Sequence, residues 1–200
     1  MVHTLVLSDE VAPEISAATL QDLAPELVLT AGDLPRDHVE WVADTVDCPV
    51  VYVPGNHDTD GPRNVIDADR QVVEAVGLRI VGLGGCVRYR PGPHQYSQKE
   101  FAKDAARLVR TARAAGPVDV LLTHAPPHGL GDGDDDAHIG IEALHDVLAE
   151  LEPTWHLHGH IHPFGRPMPD RHVGRTTVRN VIPWRVVEIE TRTSARTMSP

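Results

Sequence analysis

Asp9, the pair Gly32-Asp33, the run Gly55-Asn56-His57-Asp58 and the isolated His124 each follow a short stretch of mostly aliphatic or β-branched residues, and the run Gly159-His160-Ile161-His162 follows the alternating stretch Thr154-Trp155-His156-Leu157-His158. Carboxylate, amide oxygen and imidazole together make a hard-to-borderline ligand set, suited to Mn, Fe, Co or Zn. One carboxylate shared by two ions would hold them roughly 3.5–4 Å apart. Such a pair clamps both the attacking and the leaving oxygen of an in-line displacement and brings the pKa of an intervening water toward neutrality. Phosphoester hydrolysis fits that requirement best. Gly32, Gly55 and Gly159 read as residues that let a strand end turn sharply, so that the next side chain faces a shared crevice.

The elements that must bring these residues together are legible as alternating strand and helix patterns, the mark of an α/β chain. The expected strands are 4–8, 26–30, 50–53, 79–83, 118–123, 154–158, 176–181 and 185–189. Five of them run directly into the residues above. In open α/β sheets ligands bind beyond the carboxyl ends of strands, which gives five distant segments one place to meet. Among helices, 98–115 has the clearest signature: Ser97 and Glu100 form a capping box, Phe101, Ala105, Leu108, Val109 and Ala112 share a face, and Gly116-Pro117 ends it. Residues 37–46 read as a second helix with Asp37 as N-cap, 141–151 as a third and 12–23 as a fourth. Residues 1–200 are expected to form one domain, with 191–200 polar enough to fray.

Composition narrows the function classes. Lys and Arg total 18 against 29 Asp and Glu, a formal net charge of −11, and no basic run is present to neutralise a phosphate backbone. Nucleic acid is therefore not an expected partner. No apolar run approaches the roughly 18 residues that span a bilayer, so the reading is a cytoplasmic protein without a membrane partner. Cys48 and Cys86 form neither a C-x-x-C pair nor a disulfide framework and read as free thiols. The thirteen His residues are the unusual feature. A plain metal-binding His tract over 156–162 would leave Asp9, Asp33 and Asn56 without a task, and His156 and His158 read as strand residues instead.

In order along the chain, Asp9, Gly32-Asp33, Gly55-Asn56-His57-Asp58, His124 and Gly159-His160-Ile161-His162 resemble the signature of the calcineurin-like metallophosphoesterases: Asp-x-His, Gly-Asp, Gly-Asn-His-Asp/Glu, a lone His, then Gly-His-x-His. The resemblance implies an α/β fold of four layers, two mixed β-sheets packed as a sandwich and flanked by helices. It implies one or two divalent transition-metal ions. Asn56, His124 and His160 would hold one ion, Asp33 would bridge, and Asp9 and His162 would hold the other. It also implies that His57 gives a proton to the leaving oxygen, with Asp58 orienting it; a positioned general acid contributes ~10²–10⁴-fold.

One position departs from that signature: Val11 stands where its first His would be. Three arrangements follow: water completes the first ion's shell, Glu10 turns in as a replacement ligand, or a single ion is held. Strand alternation argues against Glu10, whose side chain should leave the opposite face from Asp9. Outside the signature, Arg88 and Arg90 could grip a substrate phosphate bidentately or serve as surface ion pairs. His128 reads either as a residue lining the site or as an exposed one. The acidic run 132–136 lacks the Gly and Glu of a calcium loop and reads as a solvated loop near the site mouth. The function these features imply is metal-dependent hydrolysis of small phosphodiesters, with hydroxide attack and His57 as general acid. Phosphomonoesterase activity is the alternative within the class. A non-catalytic metal- or nucleotide-binding module is the alternative outside it, favoured by Val11 and opposed by His57.

Overall fold

A computed structural model describes residues 1–166 and 168–191. Thirteen strands and four helices are described, in the order β1 (Val2–Leu7), α1 (Ala17–Leu23), β2 (Leu27–Thr30), α2 (Arg36–Thr45), β3 (Val50–Tyr52), β4 (Ile66–Asp67), β5 (Val72–Ala75), β6 (Leu78–Leu83), β7 (Cys86–Val87), β8 (Gln95–Tyr96), α3 (Gln98–Ala115), β9 (Val120–Thr123), α4 (Leu144–Leu151), β10 (Trp155–His158), β11 (Arg171–Val173), β12 (Thr176–Asn180) and β13 (Trp184–Ile189). Each of the eight expected strands is present. The additional ones, β4, β5, β7, β8 and β11, are two to four residues long, too short for a two-residue period to show. The frayed tail expected over 191–200 lies, beyond Thr191, outside the described residues.

Two mixed sheets carry the architecture. The first has the order β13-β1-β2-β3-β4, in which only the β13–β1 pair is antiparallel. The second runs β11-β12-β10-β9-β6-β5, with parallel pairs at its centre and antiparallel pairs at both edges. Alternation sorts the side chains into layers. Val6, Leu29 and Val51 from the first sheet meet Ile80, Val120, Leu122 and Leu157 from the second in a shared core. Leu5, Leu7, Val28 and Val50 point the other way, onto α1 and α2. Val81, Leu83, Leu121 and Val178 do the same toward α3 and α4. The expected four-layer α/β sandwich is the observed fold.

Helix ends show where local rules compete. α3 has the expected bounds, capping box and terminal Gly116. α2 begins at Arg36, after Pro35, so Asp37 lies in the first turn instead of capping it. An acidic side chain there still complements the positive end of the helix dipole. α1 starts only at Ala17, because the Ser16 hydroxyl accepts from the Thr19 amide and sets the boundary. α4 starts at Leu144, because Ile141 is held in a bridge with Pro127 and donates to the Pro126 carbonyl.

Candidate metal centre

The carboxyl ends of β1, β2 and β3 in one sheet and of β9 and β10 in the other converge on one point. Asp9 follows β1, Asp33 follows β2, Asn56 and His57 follow β3, His124 follows β9, and His160 and His162 follow β10. One ligand atom each from Asp33, His124 and His160 lies within 4.8 Å of the others. His124 Nε2 is 3.3 Å from Asp33 Oδ2 and 3.1 Å from Asn56 Oδ1. His162 Nε2 is 3.7 Å from Asp9 Oδ1. The His160 amide donates to Asp9 Oδ2 at 3.0 Å, which joins the two ends of the cluster.

The backbone does more here than turn. Asp9, Asp33 and His160 themselves have positive φ, at 63°, 56° and 69°. Such conformations are sparsely populated for side chains with a Cβ and persist only where the surroundings enforce them. The expectation that the preceding glycines make the turns holds for Gly32, at φ 86°. It is corrected for Gly55 and Gly159, which serve close approach. A Cβ on Gly55 would lie 2.0 Å from Asp33 Oδ1, and one on Gly159 would lie 2.0 Å from Ser8 Oγ and 2.2 Å from Asp9 Oδ2.

The imidazole rings are oriented by hydrogen bonds from outside the cluster. His124 Nδ1 donates to the Ala31 carbonyl at 2.7 Å, so Nε2 is the nitrogen that faces Asp33 and Asn56. His160 Nε2 donates to the Ala137 carbonyl at 2.9 Å, which leaves Nδ1 as the nitrogen with a free lone pair. Such backbone partners fix the tautomer of a metal-binding imidazole. Ser8 Oγ donates to Asp9 Oδ2 at 2.6 Å. Tyr89, not singled out in the sequence, accepts at its hydroxyl from Asn56 Nδ2 at 3.4 Å. No sequence signal marks the Ala31 and Ala137 carbonyls, since any residue has one.

Electrostatics show what the cluster wants. Burial raises the Asp9 carboxyl above its usual range. Burial also opposes charge on Asp33, but the neighbouring His124 outweighs it and holds that carboxyl low. His124 is fully buried, which disfavours its cation, yet Asp33 and Asp9 push it up to about 9. Burial and the adjacent His124 bring His160 down to about 3. Negative charge from Asp33 and Asp9 thus gathers at His124, where it favours a positive group. The residues present fit a divalent cation: mixed oxygen and nitrogen donors, rings oriented by backbone carbonyls, and close-packed glycines behind the carboxylates.

The remaining sequence expectations divide. His57 lies at the mouth: its amide donates to Asp33 Oδ1 at 2.7 Å, and its exposed ring lines a cavity of about 360 Å³ with Asp9, Asp33, Arg36 and Tyr52. The role of Asp58 is corrected. Asp58 Oδ2 accepts from the amides of Asp33 and Gly55 at 3.1 and 2.8 Å and from the Tyr52 hydroxyl at 3.0 Å, so it ties the Asp33 and Gly55 loops together, and among the described residues it makes no hydrogen bond to the His57 ring. Arg88 is a surface ion pair, donating to Glu100 at 3.0 Å and to the Gln95 carbonyl at 3.2 Å. Arg90 stacks on Tyr89, with its guanidinium carbon 5.1 Å from the ring centre, and so stands two contacts from Asn56. His128 is exposed and its ring pairs with Asp132 at 3.0 Å. The alternation argument against Glu10 also needs correction. β1 ends at Leu7 and Asp9 has a left-handed backbone, so alternation stops before Glu10, whose Oε1 lies 2.7 Å from His162 Nδ1. Val11 is 48% exposed and has no donor to give. His156 and His158 are buried strand residues, as expected.

The sequence pattern of the calcineurin-like phosphoesterases matches residues 9–164. A UPF0046 protein of Caenorhabditis elegans is 34% identical over 101 residues, 50% of this chain; the match covers 24% of that relative, so this chain spans about a quarter of its length. Among solved structures, the TT1561 protein of Thermus thermophilus superposes with a TM-score of 0.61 at 14% identity, over 88% of this chain and 87% of that one. GAP50, the anchor in the inner membrane complex of Plasmodium, superposes at 0.54 with 11% identity, over 88% and 70%. At such identities the likeness is one of fold.

Proposed function

We propose, from the premise that this chain belongs to the calcineurin-like phosphoesterase family, that it hydrolyses small phosphodiesters at the centre formed by Asp9, Asp33, Asn56, His124, His160 and His162. The observation that carries this reading is the meeting of donors from five strand ends in two sheets, with Asp33, His124 and His160 within 4.8 Å of one another. Divalent ions bound there would supply Lewis acidity toward a phosphoryl oxygen and an acidified water as nucleophile. Asn56, His124 and His160 would hold one, Asp9 and His162 the other, with Asp33 between them. The common core of both sheets supports treating residues 1–200 as one functional unit.

The chain's own groups do the rest. His57 faces the cavity with a ring that makes no hydrogen bond among the described residues, free to hand a proton to the departing alkoxide. Asp58 keeps the Asp33 and Gly55 loops in register, so that the His57 backbone stays against Asp33. What supports a diester over a monoester is the cavity wall outside the assigned metal donors: it carries Asp58 and Asp60, and its one Arg, Arg36, is paired with Glu40 at 2.8 Å, so no unpaired Arg or Lys among the lining residues awaits the second charge of a terminal phosphate. The test is turnover of bis-p-nitrophenyl phosphate and p-nitrophenyl phosphate with Mn²⁺. Faster, chelator-sensitive cleavage of the diester is the expected result; faster monoester cleavage would reverse the preference, and turnover of neither would remove the reading.

A further inference from the structure

The Val11 departure leaves the Asp9 side of the centre one donor short, and the neighbouring residue answers it in an unexpected way. Glu10 Oε1 lies 2.7 Å from His162 Nδ1, on the edge of the ring opposite the nitrogen that faces Asp9 at 3.7 Å. An ionised carboxylate only accepts, so it fixes the proton on Nδ1 and leaves the Nε2 lone pair directed toward Asp9. That arrangement is a carboxylate–imidazole pair behind a metal site, and it places Glu10 outside the reach of an ion that Nε2 would hold. A replacement ligand would have to stand on the other edge.

The short approach is possible because the chain does not continue as a strand. Asp9, at φ 63°, reverses the backbone, and Glu10 donates its amide to the Ser8 carbonyl at 2.7 Å. Asp9 and Glu10 consequently address opposite nitrogens of one ring. His124 and His160 are oriented by backbone carbonyls of Ala31 and Ala137, whereas His162, at 33% side-chain exposure, is held by an acidic side chain that increases its electron donation.

We propose that Glu10 is a positioning residue that orients and strengthens His162 as a ligand, offsetting the donor missing at Val11. The inference rests on the metal centre proposed above, and its test separates the two. Zn²⁺ is titrated calorimetrically into the full chain and into Glu10→Ala, Glu10→Gln and His162→Ala, and the His162 tautomer is read from ring ¹⁵N shifts in the metal-free proteins. Wild type should show two binding steps and an Nδ1–H ring. Glu10→Ala should weaken only the weaker step, by about 10–100-fold, the range for loss of such a partner, with a mixed tautomer. Glu10→Gln, whose amide oxygen still accepts, should stay close to wild type. If His162→Ala removes the weaker step while Glu10→Ala leaves it within about twofold and the tautomer unchanged, the role of Glu10 is overturned and the centre stands. If His162→Ala changes neither step, the centre itself is misassigned, and this inference falls with it.

Discussion

A methyl group at Gly55 would press within 2.5 Å of the Asp33 backbone nitrogen as well as on its carboxylate, leaving no rotamer change that relieves the clash. Gly55→Ala should therefore weaken metal binding at least tenfold, measured by Zn²⁺ titration, while the helices keep their circular-dichroism signal; unchanged affinity would show that Asp33 is not a ligand. His57→Ala makes the opposite prediction. Its ring makes no hydrogen bond among the described residues, so metal content should stay the same and diester turnover should fall at least tenfold, within the range removed with a general acid. Equal turnover would end its assigned part. These residues are readable in the sequence because their types carry chemistry and their order is specific. Asp58 is readable as present but not in its task, since nothing in Gly-Asn-His-Asp reveals that the acid reaches back to Tyr52 and Asp33. The carbonyls behind His124 and His160 carry no residue-type signal at all.

At the scale of elements, α3 shows what a sequence states plainly: both halves of its capping box are present, and Phe101, Ala105, Leu108 and Ala112 are buried as the period requires. Ser97→Ala should cost about 1 kcal/mol in urea unfolding, the usual loss for a removed N-cap, and leave metal affinity alone, because α3 supplies no donor. A change in affinity would mean that the outer helix layer positions the centre. The strands that lead into the proposed donors are legible for a related reason: β1, β2, β3 and β9 are mostly apolar runs stopped by a polar residue or a glycine, and β10 alternates up to Gly159. Edge strands such as β4 and β11 are not, because pairing with a neighbour, and not their own two or three residues, makes them strands. Glu10 is illegible for the same kind of reason in reverse. Alternation extended past Leu7 misplaces it, because the strand has already ended.

Taken whole, the molecule is two sheets whose inner faces share one core and whose strand ends share one cluster of donors. Ions bound there would cross-link the sheets: Asp9, Asp33 and Asn56 belong to ends of the first, His124, His160 and His162 to ends of the second. Binding to the folded state alone adds about 2.7 kcal/mol at one hundred times Kd. Removing ions with a chelator should accordingly lower the unfolding midpoint by several degrees, and re-addition of Mn²⁺ should restore it; a midpoint indifferent to chelator would argue against a shared centre. Ile80→Ala, in the inter-sheet core on a strand that carries no donor, should cost about 2–5 kcal/mol and leave the number of bound ions unchanged.

Anomalous diffraction from crystals grown with Mn²⁺ tests the central claim most directly. The account predicts peaks between Asp33 and the His124–His160 pair and between Asp33, Asp9 and His162, with Glu10 behind the His162 ring. A map with no peak among these side chains, or with manganese bound only elsewhere on the chain, would contradict it.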